Sequence, residues 1–342
     1  METVKSMDNK RISGVWLMVF LIAALAALPF YGGGRAIGIG ITMGITMIAV
    51  VGLQLTMGYA GQVNLGQSAF MGVGAFAAGL CVSKFEMSAL SSLLVAGLSA
   101  ALFGLVFGAA AIRIKGFYLA LTTIAAQYIF TFVMLKLPSS WFGQAEGLRL
   151  GAATFFSLPL NTDHRIYWFV LGVLLVLVIG AQNLVRSKSG LAFIAIRDQE
   201  SAAPLLGINV VKYKLLAFLI GAGYAGVAGG LWAFYVRYVQ IDQFTLWLSI
   251  WYTGMLIVGG IGSIGGAIIG TVVIRLIQEG LTFLGPQLAE MGDGGSGQLI
   301  FASMNIILGL AIMCGIIFAR KGLIGVLPRI MSSRTSHSMA RK

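Results

Sequence analysis

Charge is scarce in this chain. Only 10% of its 342 residues are Asp, Glu, Lys or Arg, against about 25% in an ordinary soluble domain. That excludes a single water-soluble globule, because too much apolar surface would face water. The two histidines, His164 and His337, are too few and too far apart to suggest a metal site. The two cysteines, Cys81 and Cys314, both fall in apolar runs, which excludes a disulfide framework and leaves buried thiols. The chain carries no G-x-x-x-x-G-K-[ST], no H-E-x-x-H and no G-x-S-x-G, so ATP binding through a phosphate loop, zinc proteolysis and serine hydrolysis all lack their residues. Paired carboxylates within the apolar runs are missing too. No catalytic residue, cofactor site or metal ligand set is expected.

What is abundant is apolar. Hydrophobic residues make up 58% of the chain, mean hydropathy is +0.93, and there are 47 glycines. A spanning helix needs about 20 largely apolar residues. Ten candidate segments recur: 14–30, 36–57, 66–82, 88–111, 116–136, 166–182, 215–236, 245–260, 266–284 and 299–319. Glycine at this frequency in an apolar background favours close helix packing. The expected fold is therefore all-α, a polytopic membrane bundle of about ten helices.

Orientation follows from the basic residues. Net charge is +12, which invites a nucleic-acid reading, but Lys and Arg sit in short clusters beside apolar runs. That is what the positive-inside rule produces. With the N-terminus cytoplasmic, sixteen Lys and Arg fall on that side and six on the other; only Arg275 falls within a span. Both termini are expected to be cytoplasmic. The segment 1–13 precedes the first span, and 329–342, rich in Ser and Arg, reads as a disordered cytoplasmic tail. The run 14–30 follows Lys5, Lys10 and Arg11, and Ala24-Leu25-Ala26 resembles a cleavage site; we read it as an uncleaved span rather than a signal peptide.

Two outside connections stand out. Leu137 to Arg165 is the longest, with Trp141 and Phe142 as interface anchors. Gly285 to Gln298, glycine-rich with Glu290 and Asp293, reads as a mobile loop.

Three places carry polar chemistry. The first is Gly58 to Phe76, GYAGQVNLGQSAFMGVGAF. No charge occurs from Ala36 to Ser83, yet Gln54, Tyr59, Gln62, Asn64, Gln67 and Ser68 cluster among Gly58, Gly61, Gly66, Gly72 and Gly74. In lipid, irregular backbone is tolerated only where its freed groups meet protein or a watery cavity. A broken helix lining a path and a plain turn with tight packing both fit. Gly259 to Gly270 (GGIGSIGGAIIG) is a related run, and the pairs Gly40/Gly44, Gly104/Gly108 and Gly266/Gly270 have the spacing of helix contacts. The second place is the intramembrane pair Arg275 and Glu279, four apart on one helix. It is either a mutually satisfied pair or an ion-relaying gate, the feature that would suit a secondary carrier.

The third is the polar interval 183–214, which holds Arg186, Lys188, Arg197, Asp198, Glu200, Lys212 and Lys214. Leu191, Ile194 and Ala195 share a helical face, with Asp198 on the same stripe. Ser201 can cap a further turn, Pro204 falls where a missing N–H does no harm, and Gly207 can close it. Either this is an amphipathic element on the inner face or an ordinary linker.

Here the residues resemble a known family. RDQESAAPLLGINVVKYKLLAFLIGAGYAGVAGGLWAFY (197–235), GYAGQVNLGQSAFMGVGAF, GGIGSIGGAIIG and FARKGLIGVLP (318–328) resemble the permease subunits of branched-chain amino acid ABC importers, specifically the longer of the two permease types. The likeness covers most of 36–328. It implies that 14–328 forms a permease domain in a bacterial inner membrane, with 183–214 as a cytoplasmic coupling segment. It also implies a second permease, two separate ATPase subunits and a periplasmic substrate-binding protein as partners. Glu200, Ala202, Ala203 and Gly207 match the coupling motif that seats in the ATPase, and Arg197 and Asp198 flank it. Pro204 departs from the family pattern and shortens the expected coupling helix. Asn64 and Gln67 replace the commoner small or imidazole residues, so the resemblance leaves urea, short amides or other amino acids open beside leucine, isoleucine and valine. A zwitterion is costly in hydrocarbon, and a neutral lining of Gln62, Asn64, Gln67 and Ser68 is expected to lower that barrier.

Overall fold

A computed structural model of the chain describes residues 33–290 except 113, 115, 144, 145, 156 and 157, and the isolated positions 29, 309, 310 and 313. The expected spans 14–30 and 299–319, the segments 1–13 and 329–342 and the run 318–328 lie outside the described residues, but for those isolated positions. The chain divides into two compact units, 26–253 and the combination of 1–25 with 254–342.

Helices dominate the first unit: α1 (Gly34–Leu53), α2 (Gln67–Ser83), α3 (Ala89–Gly108), α4 (Phe117–Lys136), the short α5 (Ser139–Phe142), α6 (Asp163–Arg186), α7 (Lys188–Asp198), α8 (Val210–Val236) and the start of α9 (Leu246–Gly259). Six described helices across the chain are long and apolar enough to cross a membrane, and Gln67–Ser83 is a shorter apolar helix. At 14 residues, α9 is about 21 Å long, less than the hydrocarbon core of about 30 Å. The expected span 245–260 is thus only part of a crossing.

Small residues decide the packing. α8 lies at the centre, against α1, α2 and α3. One stripe of α3, Ala96, Ala100 and Gly104, faces α8 and is buried, whereas Leu94, Leu98, Leu102 and Val106 on the opposite stripe are each more than 60% exposed. Such a row would be a liability in water and is natural against acyl chains. On α8 the seam is Gly221, Ala222, Ala225, Gly226, Gly229 and Gly230. A Cβ on Gly74 would collide with the backbone of Gly226, so α2 and α8 touch main chain to main chain. The pairs singled out by spacing behave as helix contacts: Gly40 and Gly44 take Tyr167 and Val170 of α6, and Gly104 and Gly108 take Ala222 and Phe218 of α8.

The long connection 137–165 is more ordered than its sequence suggested. It holds α5 and three two-residue strands: β1 (Leu148–Arg149), β2 (Thr154–Phe155) and β3 (Leu158–Pro159). β2 pairs with β3, and β1 pairs antiparallel with β4 (Tyr238–Val239), which follows α8. Arg237 ends α8 at φ 57, and its Nη2 donates to the Leu160 carbonyl at 3.1 Å. The loop is therefore stitched to the end of α8. Trp141 and Phe142 rest edgewise on Phe85 and tilted against Phe76, respectively.

In the second unit the chain turns at Gly260 and Gly262, with φ 122 and 85, into α10 (Ile264–Glu290). Gly266 and Gly270 lie against the backbone of Gly259 and Met255, which brings α9 and α10 into close contact there. α10 continues to Glu290, so residues 285–290 of the expected loop are helical instead; 291–298 lie outside the described residues.

Candidate functional site

The helix that begins as α1 does not end cleanly. Gln54–Tyr59 widens into a π-turn, with the Ala60 amide donating to the Leu55 carbonyl at 3.2 Å. From Gly61 to Leu65 the chain has no helical pairing, and α2 starts at Gln67. So the glycine-rich stretch is a real interruption, placed inside the bundle. Its polar side chains repair the loss. Gln67 Nε2 donates to the Ala49 carbonyl of α1 at 2.8 Å, its Oε1 accepts from Asn64 Nδ2 at 3.0 Å, and Asn64 Oδ1 accepts from the Gly66 amide at 2.9 Å. The Leu65 amide donates to Thr123 Oγ1 of α4 at 2.9 Å.

Ser68, in the first turn of α2, reaches further. Its amide donates to Ser249 Oγ of α9 at 2.9 Å. Its hydroxyl sits 2.7 Å from both Gln127 Oε1 and the Thr245 carbonyl oxygen, and its one proton can serve either. Ser249 Oγ donates back to Ser68 Oγ at 2.9 Å, and Gln127 Nε2 donates to the Phe244 carbonyl. Gln127 lies halfway along α4. The starts of α2 and α9 therefore meet at mid-depth of α4, two positive helix ends facing a shared knot of hydroxyls and amides. Discontinuous helices that present their N-termini within a bundle are suited to receiving anionic groups.

Gln62, Asn64, Gln67 and Ser68 are all buried, none more than 3% exposed. In this conformation they close on one another and on neighbouring helices rather than on an open cavity. Gln62 stands slightly apart: its Nε2 lies 3.4 Å from the Lys214 carbonyl, and its Oε1 is buried without a hydrogen-bond partner. Gln127, Ser249 and Thr123 were missed in the sequence. Gln127 was findable, being a single amide in an apolar span; the two hydroxyls carry no such signal.

The polar interval forms two pieces in series, as its sequence suggested. α7 is followed by a 3-10 turn at Ala203–Leu206. The details differ. The residue before that turn is Ala202, not Ser201, and no side chain caps it. Gly207 does close it, at φ 74. The face of α7 turned inward is Ala192, Phe193 and Ile196, whereas Leu191 is 64% exposed. The stripe of Leu191, Ile194 and Ala195 is thus not the anchored one; Phe193, packed edge-on to Tyr213 of α8, is the anchor. Leu205 and Leu206 are 88% and 76% exposed, and Asp198 is exposed as well. Ala203 is buried, and Lys214 Nζ pairs with Glu200 Oε1 at 2.8 Å.

Arg197 does not simply face outward. Its Nε and Nη2 hold Asp198 Oδ1 at 3.0 Å, and its Nη1 donates to the carbonyl of Gly58 at 3.0 Å. Arg275 and Glu279 lie half-buried, one turn apart on α10. Among the described residues no group of three His, Cys, Asp or Glu side chains could hold a metal ion.

Comparison with known proteins adds a family. The model described as "Branched-chain amino acid transport system / permease component" matches residues 35–319. Relatives include the high-affinity branched-chain amino acid transport system permease protein LivM of Escherichia coli, 26% identical over 80% of this chain and 70% of that protein. The corresponding permease LivH of Salmonella typhimurium is 28% identical over 70% of this chain and 82% of its own length. The autoinducer 2 import system permease protein LsrC of an Enterobacter species is 27% identical over 78% and 75%. No solved structure matches the chain.

Proposed function

The chain belongs to the family of branched-chain amino acid transport permeases, and from that premise we propose that it forms one half of the membrane pathway of an ATP-driven importer for leucine, isoleucine and valine. It is a multi-pass membrane permease subunit, not an enzyme. Its partners are a second permease, two ATPase subunits and a substrate-binding protein delivering the amino acid from outside. The membrane is the bacterial inner membrane. The full count is about ten spans with both termini in the cytoplasm, so that α7 and the turn at Ala203–Leu206 lie on the inner face.

The single observation that carries this reading is the surface of the polar interval. In an element surrounded by charge, Leu191, Leu205 and Leu206 point away from the bundle. Exposed apolar side chains rimmed by polar ones mark a docking surface. Arg197, Asp198, Glu200, Ala202, Ala203 and Gly207 form the coupling segment that meets the ATPase, with Ala203 buried beneath the turn and holding it to the bundle. ATP-driven closure then moves this rigid element and tilts the attached helices.

Gln62, Asn64, Gln67 and Ser68 belong to the substrate path in its closed state. When the bundle opens, the hydrogen bonds they make with one another exchange for bonds to the carboxylate and ammonium of the passing amino acid. Arg275 and Glu279 satisfy each other's charge within the membrane and relay no ion. Urea, short amides or other amino acids are the alternative cargo, and the import of autoinducer 2 named for one relative widens that range.

The test is reconstitution in liposomes with the partner permease, ATPases and binding protein. Leucine uptake should require ATP and the binding protein. Uptake at full rate without any ATPase would make the chain a secondary carrier instead, and neutralising Arg275 and Glu279 would then abolish it. Sidedness is tested by cysteine labelling after replacement of Cys81 and Cys314. Ser201→Cys should react with an impermeant reagent only from the inside, and Lys84→Cys only from the outside.

A further inference from the structure

We propose that Arg197 is a positioning residue that ties the coupling segment to the helix break at Gln54–Gly66, so that the two move as one body. The inference rests on reading α7 and the turn at Ala203–Leu206 as the segment driven by an ATPase. It goes beyond that reading by assigning the link through which the movement reaches the membrane interior.

The break creates a vacancy that Arg197 fills. In a continuous α-helix the Gly58 carbonyl would accept from the amide four residues on, that of Gln62. Here the Gln62 amide donates instead to the Thr56 carbonyl at 3.0 Å. The Gly58 carbonyl oxygen takes Arg197 Nη1 at 3.0 Å in its place. A guanidinium is suited to this because one edge can hold a carbonyl while the other holds a carboxylate. Asp198 Oδ1, with 61% of its side chain exposed, holds that other edge.

The contact is also steric. Gly61 adopts φ 68, and a Cβ there would sit 2.8 Å from Arg197 Cγ and 3.2 Å from its Cβ. The backbone of the break thus lies flat on the arginine stem, at a position only glycine fits without strain. A second contact runs in parallel, from Gln62 Nε2 to the Lys214 carbonyl, while the Lys214 ammonium holds Glu200. Arg197 and Lys214 thus hold the break at two points of the polar interval, through Gly58 and Gln62. From Gln62 the chain needs only two residues to reach Asn64 and five to reach Gln67, the side chains that hold α1, α2 and α8 together.

The experiment uses the complete transporter in liposomes and reads the amino acids imported per ATP hydrolysed. Arg197→Met keeps the stem and loses the donors; the ratio should fall by about fivefold or more, the lower range of coupling between linked sites. Arg197→Lys, which can still donate to Gly58, should recover part of it. An unchanged ratio in Arg197→Met would overturn the proposal. So would import and hydrolysis falling in step with loss of bound ATPase, since Arg197 would then serve docking alone. Uptake by the unaltered chain that ignores ATP would sink both the link and the reading beneath it, and only that result touches the reading.

Discussion

Lys214 Nζ lies 2.8 Å from Glu200 Oε1, with 4% of the lysine side chain exposed and 27% of the glutamate. The two partners are therefore unequal. Glu200→Met leaves a buried ammonium without its carboxylate and should cost about 3 kcal/mol or more. Lys214→Met leaves a carboxylate that water can reach and should cost about 1 kcal/mol. Thermal unfolding of the two variants in detergent checks the order; equal losses would mean the lysine is not desolvated.

Gly74 and Gly226 bring α2 and α8 into main-chain contact. Gly74→Val should force the helices apart and cost about 3 kcal/mol, seen as a fall in the fraction of monodisperse protein surviving heating. Gly172→Val, at a glycine with open space around it, should leave that fraction unchanged.

Ser68 and Gln127 share a hydrogen bond of 2.7 Å within a buried knot. Ser68→Ala should cost about 2 kcal/mol by stranding its partners. Gln127→Leu should cost a similar amount, and the double variant less than the sum. Strict additivity in that cycle would show that the two side chains are not coupled.

Leu205 and Leu206 project from the turn that Gly207 closes. Leu205→Glu should weaken association with the ATPase by about thirtyfold, equivalent to about 2 kcal/mol, without lowering the stability of the isolated chain. Titration of labelled ATPase against the purified permease reads the first, and thermal unfolding of the isolated chain in detergent reads the second.

Much of this was legible in the chain. Apolar runs of span length marked α1, α3, α4, α6, α8 and α10, because lipid demands length and hydrophobicity of a helix. Glycine density marked the interruption before Gln67, and the glycine at 207 marked the end of the turn at Ala203–Leu206. What stayed hidden depends on partners distant in sequence. The inward face of α7 is set by Phe193 meeting Tyr213, not by the apolar stripe through Leu191. The carbonyl that Arg197 holds lies 139 positions away. The strands at Leu148–Arg149 and Tyr238–Val239 are two residues long, too short to leave a pattern.

The stitching of α8 at its two extremities has a mechanical outcome. At one extremity β4 and Arg237 fasten it to the long loop; at the other, the Asn209 side chain caps it and Lys214 grips Glu200. A rod moored in this way cannot slide lengthwise. Any displacement of α8 must therefore carry the long loop at one end and Glu200 at the other.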